Sequence, residues 1–172
     1  MTHHFFEYHI APLRHKLYRF ALSITGSAHD AEDVVQEVLE KIWKAGEQPI
    51  SNWEAWCMTL TRNRSIDRQR ATAALRANPL ESLQGRPDMA ARAADHLAET
   101  GDLAEQARRL MRQLPDKQRL TMHLRDVEEM SYDEIAQTLD LTLDQVKINL
   151  HRARKAIREH LIQLQSIQKQ AL

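Results

Sequence analysis

The sequence predicts an all-α protein in which two small helical domains, residues 1–75 and 102–172, are joined by a flexible linker over residues 76–101. Only 4 of the 172 residues are Gly and 5 are Pro, so few positions interrupt a helix. Apolar side chains recur at three- and four-residue steps along both domains, which is the spacing of one helical face. In three places a Ser or Thr is followed three positions later by Glu or Gln, a pattern typical of helix starts.

The first domain opens with two amphipathic helices separated by Gly26-Ser27. Pro12 lies near the start of the first helix, whose apolar face is formed by Leu13, Leu17, Phe20, Ala21 and Ile24. Ser27 is placed to cap the second helix, which ends near Gly46. The apolar face of the second helix consists of Ala31, Val34, Val35, Val38 and Ile42. These two faces are the candidate core of the first domain.

A third helix begins at a predicted capping box, Ser51–Glu54, and changes character along its length. Its first turns carry Trp53, Trp56, Cys57 and Leu60 on one side, and its later turns carry several arginines. Two interpretations of the tryptophans are open, because helical spacing is typical of core residues but aromatic rings also stack on splayed bases. On the second interpretation, the arginines and Asn63 are a candidate nucleic-acid surface.

The segment after this helix is rich in alanine and poor in large apolar residues. Asn78-Pro79 and Gly85-Arg86-Pro87 interrupt any helix there, which predicts the linker. The second domain starts near Asp102, and Pro115 begins its second helix. The helical stripes of these two helices are Leu103, Ala107, Leu110 and Leu114, followed by Leu120, Met122 and Leu124.

Two neighbouring capping boxes predict a helix-turn-helix between Tyr132 and His151. Ser131–Glu134 opens a short helix, and Thr142–Gln145 opens a basic helix after a tight turn. The first turns of such a second helix face base edges in the major groove. The candidate contacts there are Asp144, Gln145, Lys147, Ile148, His151 and Arg152. A helical hairpin with a merely solvated basic face is the alternative interpretation.

The chain is neutral overall but its charges are segregated. Lys plus Arg and Asp plus Glu both number 24, which excludes a uniformly basic nucleic-acid binder. Residues 30–47 carry a net charge of −4, residues 62–76 carry +4 and residues 145–172 carry +5. The basic segments attract phosphate without regard to sequence. The acidic helix fits a metal site, a protein-docking face or a solvated surface, and the lack of a convergent histidine argues against a metal.

Several other classes of function are not predicted. The single cysteine excludes an intrachain disulfide and fits a reducing cytoplasm. No signal peptide, membrane-spanning stretch, phosphate-binding Gly loop, nucleophile elbow or HExxH motif is present. We expect neither a cofactor nor a metal site, and five scattered histidines are expected to be exposed: His15, His29, His96, His123 and His160.

Several segments together resemble bacterial sigma factors of the sigma-70 family. Residues 30–38 resemble the segment that binds core RNA polymerase, and residues 56–70 resemble the promoter-melting helix. The segments that resemble the C-terminal sigma region are 114–119, 131–136, 146–147 and 151–155. They occur in the family's order and spacing, and the short chain resembles the extracytoplasmic-function (ECF) group.

The resemblance implies that the first domain is sigma region 2 and the second is sigma region 4. The protein would then be a non-enzymatic, cytoplasmic subunit that directs core polymerase to promoters by recognising −10 and −35 elements. Its implied partners are the clamp helices of the largest catalytic polymerase subunit, promoter DNA and an anti-sigma factor. The linker, acidic over residues 77–108, would thread toward the RNA exit path.

The resemblance also assigns roles to individual residues. Core polymerase would be contacted by Asp33, Val34, Gln36, Glu37, Val38, Leu39 and Trp43, with the valines and Leu39 offering apolar contact. The −10 element, with one base flipped from the stack, would be contacted by Asn52, Arg62, Asn63, Arg64, Arg68 and Arg70. The −35 element would be contacted by Asp144, Gln145, Lys147, Ile148, His151, Arg152 and Lys155.

Two positions depart from the family pattern. The turn of the helix-turn-helix has Leu139-Asp140 where Leu-Gly is usual, and Asp tolerates a left-handed backbone better than most residues. Asp144-Gln145 stands where the family often has Gly-Thr, which alters the end of the helix that faces the −35 element.

Two alternatives belong to other classes. A stand-alone helix-turn-helix regulator would need no acidic docking helix and would usually dimerise on a palindrome. An enzyme acting on nucleic acid through Asp and Glu metal ligands would depend on magnesium without polymerase.

Overall fold

The computed structural model describes residues 2–46, 49–77 and 109–170. The chain folds as two compact units, residues 1–97 and 98–172. Within the described ranges every regular element is helical, and the prediction of an all-α protein with two helical domains is confirmed. Residues 78–101 of the predicted linker lie outside the described residues, so the linker's bounds stay a prediction.

The first unit is a bundle of three helices preceded by a short, irregular helical segment. Residues 3–13 contain a helical turn, a π-helical stretch and the 3-10 turn Ala11–Leu13, which has Pro12 at its start. The bundle consists of α1 (Arg14–Thr25), α2 (Ala28–Ala45) and α3 (Trp53–Ala77). Each of the three helices packs against the other two.

The boundaries between α1, α2 and α3 follow local chemistry. Gly26 ends α1 with φ at 67°, a left-handed conformation that costs glycine little. The Ser27 side chain then accepts a hydrogen bond from the backbone N–H of Asp30, as the sequence predicts. Gly46 ends α2.

The core of the first unit is formed by the predicted apolar faces. The five residues predicted for α2 are all buried: Ala31, Val34, Val35, Val38 and Ile42. Leu17, Phe20, Ala21 and Ile24 of α1 are buried as well, together with Cys57 and Met58 of α3. Trp53 and Trp56 are half-buried, with their rings edge to face at 5.4 Å. The Trp53 ring also meets Phe5 at 5.2 Å, so it packs within this unit.

The predicted Ser51–Glu54 capping box is wrong. Asn52 caps α3 instead, because its Oδ1 accepts a hydrogen bond from the backbone N–H of Ala55 at 2.9 Å. The Glu54 carboxylate accepts a hydrogen bond from Lys16 Nζ at 2.7 Å, which ties the start of α3 to α1.

The second unit contains α4 (Asp116–Met122), α5 (Tyr132–Leu139) and α6 (Leu143–Gln170). A π-helical stretch, His123–Val127, continues α4 toward the helix-turn-helix. The buried side chains include Leu120, Leu124, Ile135, Leu139, Val146 and Leu150. The unit therefore closes around the inner faces of α5 and α6.

The prediction that His123 is exposed is wrong. The residue is buried, and its Nε2 lies 3.2 Å from Oε1 of Glu128, a carboxylate that is itself buried. His123 and Glu128 are five residues apart, a spacing that does not place two side chains on one helical face. The sequence pattern therefore does not predict the pair.

Candidate nucleic-acid and protein interfaces

The outer face of α2 carries the residues assigned to polymerase binding. Gln36 and Trp43 are exposed, and Asp33, Glu37 and Leu39 are partly exposed. Trp43 is not a lone surface ring, since Phe6 and His3 meet it edge to face at 5.3 and 6.4 Å. These side chains, two acidic, one amide, one aliphatic and one aromatic, are accessible on the surface of α2.

Val34 and Val38 do not belong to this surface. Their relative exposures are 0% and 3%, because both lie on the face of α2 that packs against α1 and α3. The expectation that they offer apolar contact to a partner is therefore wrong for this structure. Among the residues assigned to this contact, Leu39 and Trp43 are the apolar side chains that remain accessible.

Two carboxylates of α2 and two guanidinium groups of α3 form one cluster, which we call the α2–α3 ion cluster: Asp33, Glu37, Arg64 and Arg68. Arg68 Nη2 bridges both acids, at 2.9 Å from Asp33 Oδ2 and 3.2 Å from Glu37 Oε1. Arg64 Nε donates to Glu37 Oε2. The hydrogen bond to Glu37 raises the pKa of Arg64.

This cluster joins two surfaces that the sequence assigns to different partners. Asp33 and Glu37 are predicted polymerase contacts, whereas Arg64 and Arg68 are predicted −10 contacts. Sequence spacing cannot reveal the pairing, because the two helices face each other across more than 25 residues of chain. The remaining −10 residues of α3 are Arg62, which is partly exposed, and Asn63 and Arg70, which are exposed.

Asn52 has a structural task in addition to its predicted −10 contact. Its Oδ1 is used to cap α3, so this oxygen is engaged before any nucleic acid arrives. The family resemblance also assigns the loop over residues 48–52 to the −10 element. In this loop Ile50 is partly exposed and Ser51 is exposed, whereas Gln48 lies outside the described residues.

The helix-turn-helix of the second unit has the geometry that the sequence predicts. The Ser131–Glu134 capping box is formed in both directions. Thr142 and Gln145 also cap each other, with Thr142 N–H donating to Gln145 Oε1 at 2.9 Å and Gln145 N–H donating to Thr142 Oγ1 at 3.2 Å. Between these caps, Asp140 adopts φ 54° and ψ 54°, so aspartate does form the left-handed turn here.

All seven residues assigned to the −35 element are exposed on α6: Asp144, Gln145, Lys147, Ile148, His151, Arg152 and Lys155. Ile148 has a relative exposure of 49%, which is unusual for a large aliphatic side chain at the centre of a polar face. Lys147 lies 3.6 Å from Asp144, so the acid at the start of α6 partly offsets its charge. The surface combines acidic, amide, basic and aliphatic side chains on one helical face.

A contact that the sequence analysis missed fastens α6 to the preceding π-helical stretch. Arg154 donates from Nη2 to Asp126 Oδ1 at 2.5 Å and from Nε to Asp126 Oδ2 at 3.3 Å. The hydrogen bond to Asp126 raises the pKa of Arg154. Next to it, Arg125 donates to the carbonyl oxygen of Met130 at 2.8 Å and stacks over the Tyr132 ring at 5.3 Å. These contacts join the π-helical stretch to α6 and to the start of α5.

The described residues contain neither a candidate metal site nor a candidate membrane-spanning helix. No group of three or more His, Cys, Asp or Glu side chains in those ranges is arranged to hold a metal ion. In the same part of the chain, no helix combines the length and apolar character needed to span a bilayer.

Two family models match the chain where these surfaces lie. Residues 9–74 match the model of sigma-70 region 2, and residues 104–157 match that of sigma-70 region 4. The matches thus cover α1 to α3 of the first unit and the helix-turn-helix of the second.

Relatives and solved structures agree with these matches. The chain is 34% identical to the ECF RNA polymerase sigma factor SigL of Mycobacterium tuberculosis, over 86% of this chain and 84% of that protein. It is 28% identical to SigE of Mycolicibacterium smegmatis, an ECF sigma factor of which it spans 57%. The sigma factor RpoE of Bartonella quintana, solved with the anti-sigma factor NepR, has a TM-score of 0.67 at 25% identity, covering 91% of this chain and 96% of that one.

The fold and the surfaces define a two-domain, all-helical protein whose second domain is a helix-turn-helix of the DNA-binding type. The chain belongs to the ECF group of the sigma-70 family of RNA polymerase sigma factors. Members of this family are transcription initiation factors.

Proposed function

We propose that this protein binds core RNA polymerase through the outer face of α2 and directs it to promoters by contacting a −10 element with α3 and a −35 element with α6. The observation that carries the proposal is the exposed face of α6, where all seven residues assigned to −35 recognition are accessible together. Basic and amide side chains at the first turns of a second helix are suited to base edges and phosphates in the major groove.

On the first unit, Asp33, Gln36, Glu37, Leu39 and Trp43 form the proposed polymerase surface. Its two carboxylates and its half-exposed indole ring suit a partner helix that offers basic and apolar groups together. In this proposal Val34 and Val38 act indirectly, by fixing the helix whose outer face docks.

The proposed −10 surface consists of Arg62, Asn63, Arg64, Arg68 and Arg70 on α3, with Asn52 at its start. Asn63 is exposed and carries both a donor and an acceptor, which suits a base flipped from the stack. The arginines supply phosphate contacts that do not depend on sequence.

The protein contributes recognition and no catalytic step, since polymerase performs the chemistry. We also propose that it works in the cytoplasm and that an anti-sigma factor is a further partner. The second proposal is supported by the solved relative of Bartonella quintana, which was captured with such a factor.

Co-elution with core polymerase tests this function against that of a stand-alone helix-turn-helix regulator. We expect the protein and core polymerase to elute together from a sizing column, and we expect the protein alone to shift duplex DNA only weakly. Tight, specific gel shifts without polymerase, combined with no co-elution, would overturn the proposal and favour the regulator.

A further inference from the structure

We propose that Asp33 and Glu37 withhold Arg64 and Arg68 from DNA in the free protein, so that a partner which takes over the two carboxylates releases the two arginines for phosphate contact. This inference rests on the proposed function, because it assigns the carboxylates to one partner and the arginines to another. It concerns the free chain, however, and is tested on the free chain.

The two acids and the two arginines are connected by direct contacts. Arg68 Nη2 touches both carboxylates, at 2.9 Å and 3.2 Å, and Arg64 Nε holds the second oxygen of Glu37. The side chains of Arg68, Asp33 and Glu37 are only 29%, 34% and 36% exposed. The Arg64 side chain is more exposed, at 49%, but its Nε donates to Glu37 across the seam between α2 and α3.

The two proposed partners compete for groups that already neutralise each other. A DNA phosphate that pairs with Arg68 leaves Asp33 facing the same phosphate, and like charges at that distance repel. A basic group that pairs with Asp33 and Glu37 from outside removes the acceptors that hold Arg64 and Arg68. Binding of the first partner and binding of DNA are therefore positively coupled through shared side chains.

Two other titratable side chains face the cluster. His29 Nδ1 lies 3.5 Å from Asp33 Oδ1, and its side chain is exposed. Asp67 follows Arg64 along α3, and its negative charge also raises the pKa of Arg64. Both residues are kept in every variant compared below.

The chain offers a matched control on the same helix. Glu32 and Glu40 are exposed acids of α2 outside the cluster, and Glu40 pairs with Lys44 one turn away at 2.5 Å. Glu32→Gln/Glu40→Gln removes as much negative charge as Asp33→Asn/Glu37→Gln, and it also frees a cation. The two double variants differ in whether Arg64 and Arg68 lose their partners.

The experiment measures binding of the full-length free protein to a fluorescein-labelled single-stranded oligonucleotide of mixed sequence, by anisotropy over a series of salt concentrations. We expect Asp33→Asn/Glu37→Gln to bind several-fold more tightly than the control variant. Two released arginines should steepen the slope of log K against log salt by about 1.4. Adding Arg64→Gln and Arg68→Gln to the first variant should abolish both gains.

Equal affinity and equal salt slope for the two double variants would overturn the inference. The cluster would then only stabilise the packing of α2 against α3. Helicity by circular dichroism checks that both variants fold. If the double variant does not fold, the single variant Asp33→Asn removes the shorter of the two contacts of Arg68 and should still bind more tightly than Glu32→Gln. A failure of co-elution with polymerase would instead contradict the proposed function and leave this result standing.

Discussion

Gln145 and Asn52 are both predicted to contact DNA, and both also complete the helices on which they stand. Gln145 Oε1 accepts the Thr142 N–H, and Asn52 Oδ1 accepts the Ala55 N–H. The Gln145 cap is visible in the sequence because it follows the spacing of a capping box. The Asn52 cap is not visible, because Ser51 one residue earlier forms the capping-box spacing with Glu54, whose carboxylate instead accepts a hydrogen bond from Lys16.

The charges of Lys147 and Arg152 are expected to dominate electrostatic binding by the second unit. Both side chains are exposed on α6. Replacing each with Ala should weaken binding to duplex DNA carrying a −35 element and flatten the salt slope by about 0.9 for each lost phosphate contact. The measurement is a salt titration of affinity. A slope that stays constant would mean that these side chains point away from the phosphates.

Cys57 is expected to be inert toward thiol reagents in the folded protein. The side chain is fully buried in the first unit, and burial, reinforced by the charge of Glu54, raises the pKa of the thiol to about 12. At pH 8, labelling with a chromogenic disulfide reagent should therefore proceed only after denaturant is added. Rapid labelling of native protein would show that the first unit opens readily.

The same thiol makes the first unit sensitive to alkaline pH. The folded pKa is higher than that of an unfolded thiol, about 8.5, so the folded state holds the proton more tightly. The stabilisation is complete below the unfolded pKa and is lost as the pH rises toward about 12. Cys57→Ala should reduce this alkaline loss, as followed by urea unfolding at several pH values.

At the scale of elements, the periodicity of apolar residues predicts the helices better than it predicts the contacts between them. The sequence predicts the apolar stripe of α2 residue for residue, because a helix packed on two neighbours must bury the face that carries Val34 and Val38. The same burial corrects their assignment as partner contacts. The ion cluster and the His123–Glu128 pair depend on tertiary packing, which no local pattern encodes.

The left-handed turn at Asp140 decides the geometry of the helix-turn-helix. Because glycine adopts φ 54° without steric cost, Asp140→Gly should leave the second unit equally stable or stabilise it by up to about 1 kcal/mol. A β-branched residue fits this backbone poorly, so Asp140→Val should destabilise it by about 1–2 kcal/mol. Urea unfolding followed by circular dichroism measures both changes. Equal stability of the glycine and valine variants would contradict the role of the turn.

Arg154 is expected to orient α6 and not to contact phosphate, because Nε and Nη2 of its guanidinium both donate to Asp126. Arg154→Ala should therefore weaken binding to the −35 duplex while leaving its salt slope unchanged. Arg152→Ala, two positions away, is the matched variant that should flatten the slope. If the two variants flatten the slope equally, Arg154 contacts the DNA directly.

At the scale of the whole molecule, the neutral chain divides into units with different charge patterns. Breaker residues and composition predict two helical domains, and the structure divides the chain into two compact units. The sequence does not reveal that acidic and basic segments of the first unit neutralise each other, because they lie far apart in the chain. Through that pairing, carboxylates of the proposed polymerase surface contact arginines of the proposed −10 surface.

Run-off transcription over a shotgun library of the source genome tests the central claim most directly. Core RNA polymerase is compared with and without this protein, and the 5′ ends of the new transcripts are mapped. We predict discrete new start sites that share two upstream boxes, and we predict that they are lost with the Lys147→Ala/Arg152→Ala variant. Unchanged start sites in the presence of folded protein would contradict the account.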